Sequence, residues 1–288
     1  MGKVISIINM KGGVGKTTLC VGISDYLAEI GKKVLLIDAD PQFNATQSLL
    51  DQYKASDNSF YTSQVISEEK TIFRLFSTTE SLVKTYEYPT VDELKVQLTN
   101  NLDLICGDLR LVLSNNSSNA RFAKRIKTFI DKGNLKDIYD YIFIDCPPTL
   151  TIYTDSSLIA SDYYLIPNRI DRYSIIGIDS LQSAIKGLII EEELPLKCLG
   201  IVYTMVYKNP PQKQEDLRQN FESRKSLEGI DIFSSQTTFY KNIQFGKLGA
   251  NPNNYSKAKQ DMIAVSKELM DRIDREEKNV RSEEHTSE

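Results

Sequence analysis

The sequence predicts an α/β fold: a mainly parallel, twisted sheet flanked by helices on both faces. Three observations lead there. Short runs that are apolar at nearly every position recur along the chain, as strands covered on both faces do. Stretches of helical periodicity separate them. Two of the runs end in aspartates, and a third breaks into glycines followed by Lys-Thr-Thr. Polar groups are thus concentrated at strand ends, where open α/β sheets bind ligands.

Taken in order, Val4–Ile8 predicts the first strand. After the glycines, Cys20, Ile23, Leu27 and Ile30 recur at spacings of three, four and three, one face of a helix that Gly31 stops. Val34–Ile37 predicts the second strand, apolar throughout. Residues 51–100 are polar, rich in Ser and Thr, and too long for a simple connection, so they predict an inserted helical or irregular subregion. Leu102–Cys106, Tyr141–Ile144, Tyr163–Ile166 and Leu199–Val206 predict further strands. Right-handed crossovers bring the ends of such strands to one rim. Residues 207–229 hold Asn209-Pro210-Pro211 and then a charged helical stretch. Tyr255 to about Glu276 predicts an exposed C-terminal helix with Met262, Val265, Leu269 and Ile273 on one face. Val280–Glu288 lacks an apolar pattern and is expected to be a disordered tail or an expression remnant, leaving one domain over 1–279.

Composition narrows the function classes. With 288 residues, 41% hydrophobic and 26% charged, the chain has the make-up of an ordinary globular protein. No apolar run approaches the roughly 20 residues of a membrane span, and the N-terminus lacks an export signal. Cys20, Cys106, Cys146 and Cys198 are scattered without a C-x-x-C, as small core residues of a reducing cytosol would be. The single histidine, His285, lies in the polar tail, which excludes Ser-His-Asp and Cys-His chemistry. The net charge is −4, yet Lys197–Gln260 carries ten Lys/Arg against five Asp/Glu, a local +5. That asymmetry fits either a basic binding face or a solvated surface.

Residues 10–18 read Met-Lys-Gly-Gly-Val-Gly-Lys-Thr-Thr directly after the first strand. Glycines let backbone N–H groups turn onto phosphate oxygens, and the following helix points its positive end at them. Lys16 then reaches the β- and γ-phosphates, and the Thr17 hydroxyl completes a Mg²⁺ shell. Compared with G-x-x-x-x-G-K-[ST], the first glycine position is Met10, and a second lysine, Lys11, stands beside it. Asp38 and Asp40 follow the second strand and Asp145 follows a later one. An acid leaving a buried strand beside such a loop can hold the water shell of Mg²⁺.

Together, Lys11–Thr18 (KGGVGKTT), Leu35–Thr46 (LLIDADPQFNAT) and Tyr139–Leu150 (YDYIFIDCPPTL) resemble the deviant Walker P-loop ATPases, and among them the ParA partition ATPases. Weaker likeness runs through Gly200–Met205 into the C-terminal helix, so the resemblance covers the chain except 51–100 and the tail. It implies a single P-loop NTPase domain that binds ATP and Mg²⁺ through Lys11, Gly12, Gly13, Val14, Gly15, Lys16, Thr17 and Thr18. It implies metal contacts at Thr17, Asp38 and Asp145, partly through water, and catalytic roles for Lys11, Lys16 and Asp40. Lys11 would reach across a dimer interface to the partner's ATP, and Asp40 would orient the attacking water. Phe43 stands where relatives commonly have glycine, a change expected to alter loop packing rather than chemistry.

The resemblance further implies an ATP-dependent homodimer, sequence-independent binding of double-stranded DNA, and slow hydrolysis stimulated by a ParB-type centromere-binding protein. Such a protein would be cytoplasmic, nucleoid-associated and bacterial. DNA contacts would come from Lys208, Lys213, Arg218, Lys241 and Lys247, with Arg169 and Arg172 serving the nucleotide rim or interface. Because the chain starts at the first strand, an N-terminal helix-turn-helix domain is not expected. Two alternatives stay open: a MinD-like positioning ATPase at membranes and a non-catalytic regulator that uses ATP for assembly. The first needs a basic amphipathic C-terminal helix, whereas the last 28 residues carry nine acids against five bases. Partner- and DNA-stimulated turnover separates the second.

Overall fold

The central strands are buried at nearly every position, and because successive side chains of a strand point to opposite faces, they feed two cores in alternation. In the computed structural model, which describes residues 1–54, 59–77, 88–114, 120–171 and 174–286, seven strands form one sheet in the order β3-β4-β2-β5-β1-β6-β7. They are β1 (Lys3–Ile7), β2 (Val34–Asp38), β3 (Val96–Gln97), β4 (Leu102–Ile105), β5 (Tyr141–Asp145), β6 (Tyr163–Asn168) and β7 (Lys197–Tyr203). Every pairing is parallel except β3 with β4.

Val4, Leu35, Ile37, Ile142 and Ile144 join the core on one face; Ile5, Ile7, Leu36, Phe143 and Leu165 join that on the other. The helices of eight or more residues cover both. α1 (Lys16–Glu29), α2 (Asn44–Tyr53) and α7 (Ser256–Thr286) contribute to the second core; α3 (Arg125–Lys132), α4 (Ile152–Ile159), α5 (Ser174–Glu191) and α6 (Gln212–Glu222) contribute to the first. On α7, Met262, Val265, Leu269 and Ile273 are all buried, each worth roughly 1.5–3 kcal/mol of hydrophobic stabilisation.

The expected strands all form, with ends shifted by one to three residues. β7 begins at Lys197 and stops at Tyr203, because Met205 takes a positive φ of 54° and turns the chain off the sheet. Val206 instead makes an isolated bridge with Thr238. α1 ends at Glu29: Gly31 N–H donates to Ala28 and Lys32 N–H to Leu27. Ile30, expected on the apolar face, is therefore carried off it and is 45% exposed. The two-residue edge strand β3 has no counterpart in the sequence reading. Parts of residues 51–100, the tail residues 287–288 and Arg172 lie outside the described residues.

Candidate functional site

The sheet's register sets the site. Ile7 pairs with Asp145, and Asp145 with Asp38, so the ends of β1, β5 and β2 form one row. The glycine loop leaves β1 at this row and enters α1 through Gly15, whose φ of 86° is open to glycine and strained for other residues. Three bonds that the sequence motifs do not announce fix the loop. Asn9 donates to the Pro167 carbonyl (2.8 Å) and accepts from the Lys11 N–H (2.9 Å). The Thr204 hydroxyl, just past β7, donates to the Val14 carbonyl at 2.6 Å.

A cleft of about 630 Å³ opens above the loop. Gly12, Gly13, Lys16, Thr17 and Thr18 of the loop and α1 line it, together with Asp40 and Gln42 and with Met205, Ile243 and Ala250. Lys16 is buried, and burial pulls its ammonium below the usual lysine value against the opposing attraction of Asp145 and Asp40. The Thr17 hydroxyl donates to Asp145 at 2.7 Å. The other oxygen of Asp145, Oδ1, is buried without a hydrogen-bond partner among the described residues. Burial, then the neighbouring Asp38, raises the Asp145 pKa well above the carboxylate range.

Asp38 is buried to the same degree but is satisfied by the protein. The Thr46 N–H and hydroxyl donate to Oδ2 at 2.8 and 2.7 Å, and the Asp40 N–H to Oδ1 at 3.3 Å. Desolvation pushes its pKa up to about 7 despite these bonds. Asp40 accepts from the Gln42 N–H at 2.9 Å, and burial raises its pKa against that bond and the attraction of Lys16. Lys11, half-buried, is ion-paired with Asp171 of the same chain. Thus Lys16, Thr17 and Asp40 line the cleft, Lys11 stands in the loop before them, and Asp145 and Asp38 lie fully buried at the strand ends beneath.

The donor set fits nucleotide-bound Mg²⁺ better than a free metal centre. Mg²⁺ needs only one or two protein oxygens when phosphates and water supply the rest. No cluster of three or more His, Cys, Asp or Glu side chains able to hold a metal forms among the described residues. The orphaned Asp145 oxygen beside the Thr17 hydroxyl suits such a partial shell.

The basic residues named for DNA lie apart from this row. The Val206–Thr238 bridge and the Tyr207–Phe239 ring contact, with centroids 5.3 Å apart, bring the segment of Lys208 beside that of Lys241. Lys208, Lys213, Lys241 and Lys247 are exposed. Arg218 is different: it bonds Glu222 at 2.8 Å and lies 4.7 Å over the Tyr203 ring. No helix among the described residues is long and apolar enough to cross a membrane.

Comparison with known proteins agrees with this geometry. The AAA domain family AAA_31 matches residues 2–197. The sporulation initiation inhibitor protein Soj of Bacillus subtilis is 31% identical over 206 residues, covering 72% of this chain and 74% of Soj. The uncharacterized protein MJECL24 of Methanocaldococcus jannaschii is 34% identical over 245 residues, covering 85% of this chain and 89% of its own. In fold, the chain is similar to a putative plasmid partition protein from Borrelia burgdorferi B31 crystallised with AMPPNP, with TM-score 0.67, 22% identity and 92% and 98% of the two chains covered. A deviant phosphate loop on a parallel sheet, a family match across two thirds of the length and these relatives lead to one assignment: the chain belongs to the AAA_31 family, among the Soj/ParA-type P-loop ATPases.

Proposed function

We propose that this protein is an ATP-dependent DNA partition protein. In this reading ATP binding joins two copies face to face, the dimer binds duplex DNA without sequence preference, and a ParB-type partner stimulates slow hydrolysis that releases it. The chain is one domain with 51–100 as an insertion; the tail expected to be disordered from Val280 is instead helical to Thr286, as the continuation of α7, and the protein works in the cytoplasm on the nucleoid. The observation that carries the reading is the loop Lys11–Thr18 set beside a buried Asp145 whose second oxygen lacks a partner among the described residues.

Mg²⁺·ATP, when bound, supplies the transferable γ-phosphoryl group and the charge that this rim accommodates. The loop N–H groups and the α1 N-terminus bind phosphate oxygens, and Lys16 neutralises them from its buried position. Thr17 would hold the metal through its hydroxyl oxygen, and Asp145 would hold it through water. Asp40, held by the Gln42 N–H, orients the attacking water, a role worth large factors when geometry is fixed beforehand. Lys11, leaving Asp171, carries its charge to the nucleotide of the second copy. Lys208, Lys213, Arg218, Lys241 and Lys247 meet the DNA backbone, which needs cations rather than base-reading groups.

Analytical ultracentrifugation with ATP, ADP or no nucleotide tests the assembly step, with phosphate release measured alongside. The reading predicts a dimer with ATP only, absent in Lys16→Ala, and measurable turnover. A monomer in every state, or no turnover with DNA and partner present, contradicts it.

A further inference from the structure

The segment Tyr61–Ile66 forms a single π-helical turn in the polar insertion, a rare geometry that concentrates at functional sites. Its first residue touches the loop that carries Asp40. The Tyr61 ring stacks on Phe43, with centroids 5.1 Å apart and planes within 8°. Phe43 has φ 42° and ψ 37°, a left-handed conformation that costs a bulky residue free energy unless its surroundings hold it there. Phe43 is also the hinge of the loop: its N–H donates to the Asp40 carbonyl (2.8 Å), and its carbonyl accepts from Gln47 N–H (3.0 Å) in the first turn of α2.

Gly107 links the same parts. Its carbonyl accepts from the Tyr61 hydroxyl at 2.9 Å, and its N–H donates to Thr46 Oγ1 at 2.8 Å, the hydroxyl that donates to Asp38. A Cβ on Gly107 would meet Phe43 Cβ at 2.7 Å and Asp38 Cγ at 3.0 Å. Glycine at 107 thus lets the Phe43 loop close onto Asp38, and the flat face of Tyr61 covers the ring from outside.

We propose that Tyr61 is a positioning residue for Asp40, acting through Phe43: the stack holds the strained hinge, and the hinge holds the Asp40–Gln42 turn. The insertion is thereby coupled mechanically to the nucleotide rim. This rests on the reading of Asp40 as the water-orienting acid, but the coupling itself exists without nucleotide.

A four-cornered cycle tests it, pairing Tyr61→Ala with Phe43→Gly and following two readouts. In the nucleotide-free protein, hydrogen exchange of the 42–47 amides should rise about tenfold in Tyr61→Ala. Turnover should fall about tenfold with nucleotide affinity kept within about twofold, as expected for lost orientation rather than lost binding. Glycine accepts the left-handed hinge unaided, so in the Phe43→Gly background both effects of Tyr61→Ala should shrink below about twofold. Tyr61→Phe keeps the stack and should resemble wild type; Tyr61→Leu, which keeps bulk without the flat ring, replaces Tyr61→Ala if that variant does not fold. Equal effects in both backgrounds, or none in either, overturn the proposal. If the wild type hydrolyses no ATP, the functional reading fails while the exchange cycle still decides the coupling.

Discussion

The Thr17 hydroxyl donates to Asp145 across 2.7 Å, joining the first turn of α1, which lines the cleft, to the buried end of β5. The bond satisfies one oxygen of a fully buried carboxylate and leaves the other without a partner among the described residues. Asp38 sits opposite in the same row, and Asp40 is close by. Of these three carboxylates, Asp145 and Asp40 are attracted by the buried Lys16 ammonium, while Asp38 adds to the repulsion on Asp145. Such a site is electrostatically expensive when empty and gains from a divalent cation carried by phosphates.

Asp145→Asn removes one of those charges while keeping an acceptor for Thr17. It should raise the thermal midpoint of the nucleotide-free protein at pH 8. It should also weaken the Mg²⁺ dependence of nucleotide binding on the order of 10–100-fold. Calorimetry with and without Mg²⁺ measures both, and a variant with wild-type Mg²⁺ dependence would remove Asp145 from the metal shell.

Stability should depend on pH through Asp38. Burial lifts its pKa from 3.8 to about 7, so between those values the folded state holds a proton that the unfolded state has released. Folding stability is then fully present below about 4 and is lost as pH rises toward 7. Melting curves of nucleotide-free protein across that window should show the decline in wild type and a smaller one in Asp38→Asn. A parallel pair of curves would contradict the assignment.

Packing of α7 on α1 leaves no space at Gly22, where a Cβ would meet Met262 Sδ at 2.5 Å and Pro252 Cγ at 2.7 Å. The methionine can move, but the proline ring cannot. Gly22→Ala should therefore cost about 1–3 kcal/mol by overpacking, read as a lower urea midpoint at unchanged slope. A neutral substitution would mean that the α1–α7 contact yields freely.

Much of this was legible in the sequence for identifiable reasons. Val34–Ile37 and Tyr141–Ile144 are apolar at nearly every position because both faces are covered, and the aspartate after each marks the end of its strand. The Met262, Val265, Leu269 and Ile273 stripe reads as helix because only one face of α7 is buried. What stayed hidden depends on contacts distant along the chain. Thr204 reaches Val14 across 190 residues, and Asn9 reaches Pro167 across 158. Phe43 was visible as an odd residue in a glycine position, but its partner Tyr61 lies in a polar stretch without periodicity. Ile30 misled because helical spacing continues past the residue at which the backbone turns.

The basic residues should separate by their surroundings. Lys241 is exposed, so Lys241→Ala should weaken DNA binding uniformly across sequences and reduce the salt slope by about one. Arg218 is held by Glu222 and the Tyr203 ring, so Arg218→Ala should lower stability as well as affinity. Filter binding at several salt concentrations, alongside thermal melts, distinguishes the two.

The central claim is a nucleotide switch that controls DNA binding, and retention of non-specific duplex DNA tests it most directly. Wild type and Lys11→Ala are compared with ATP, ADP or no nucleotide, at low and high salt. The account predicts retention with ATP alone, lost at high salt and lost in Lys11→Ala. Retention that ignores the nucleotide, or its absence under all of these conditions, would contradict it.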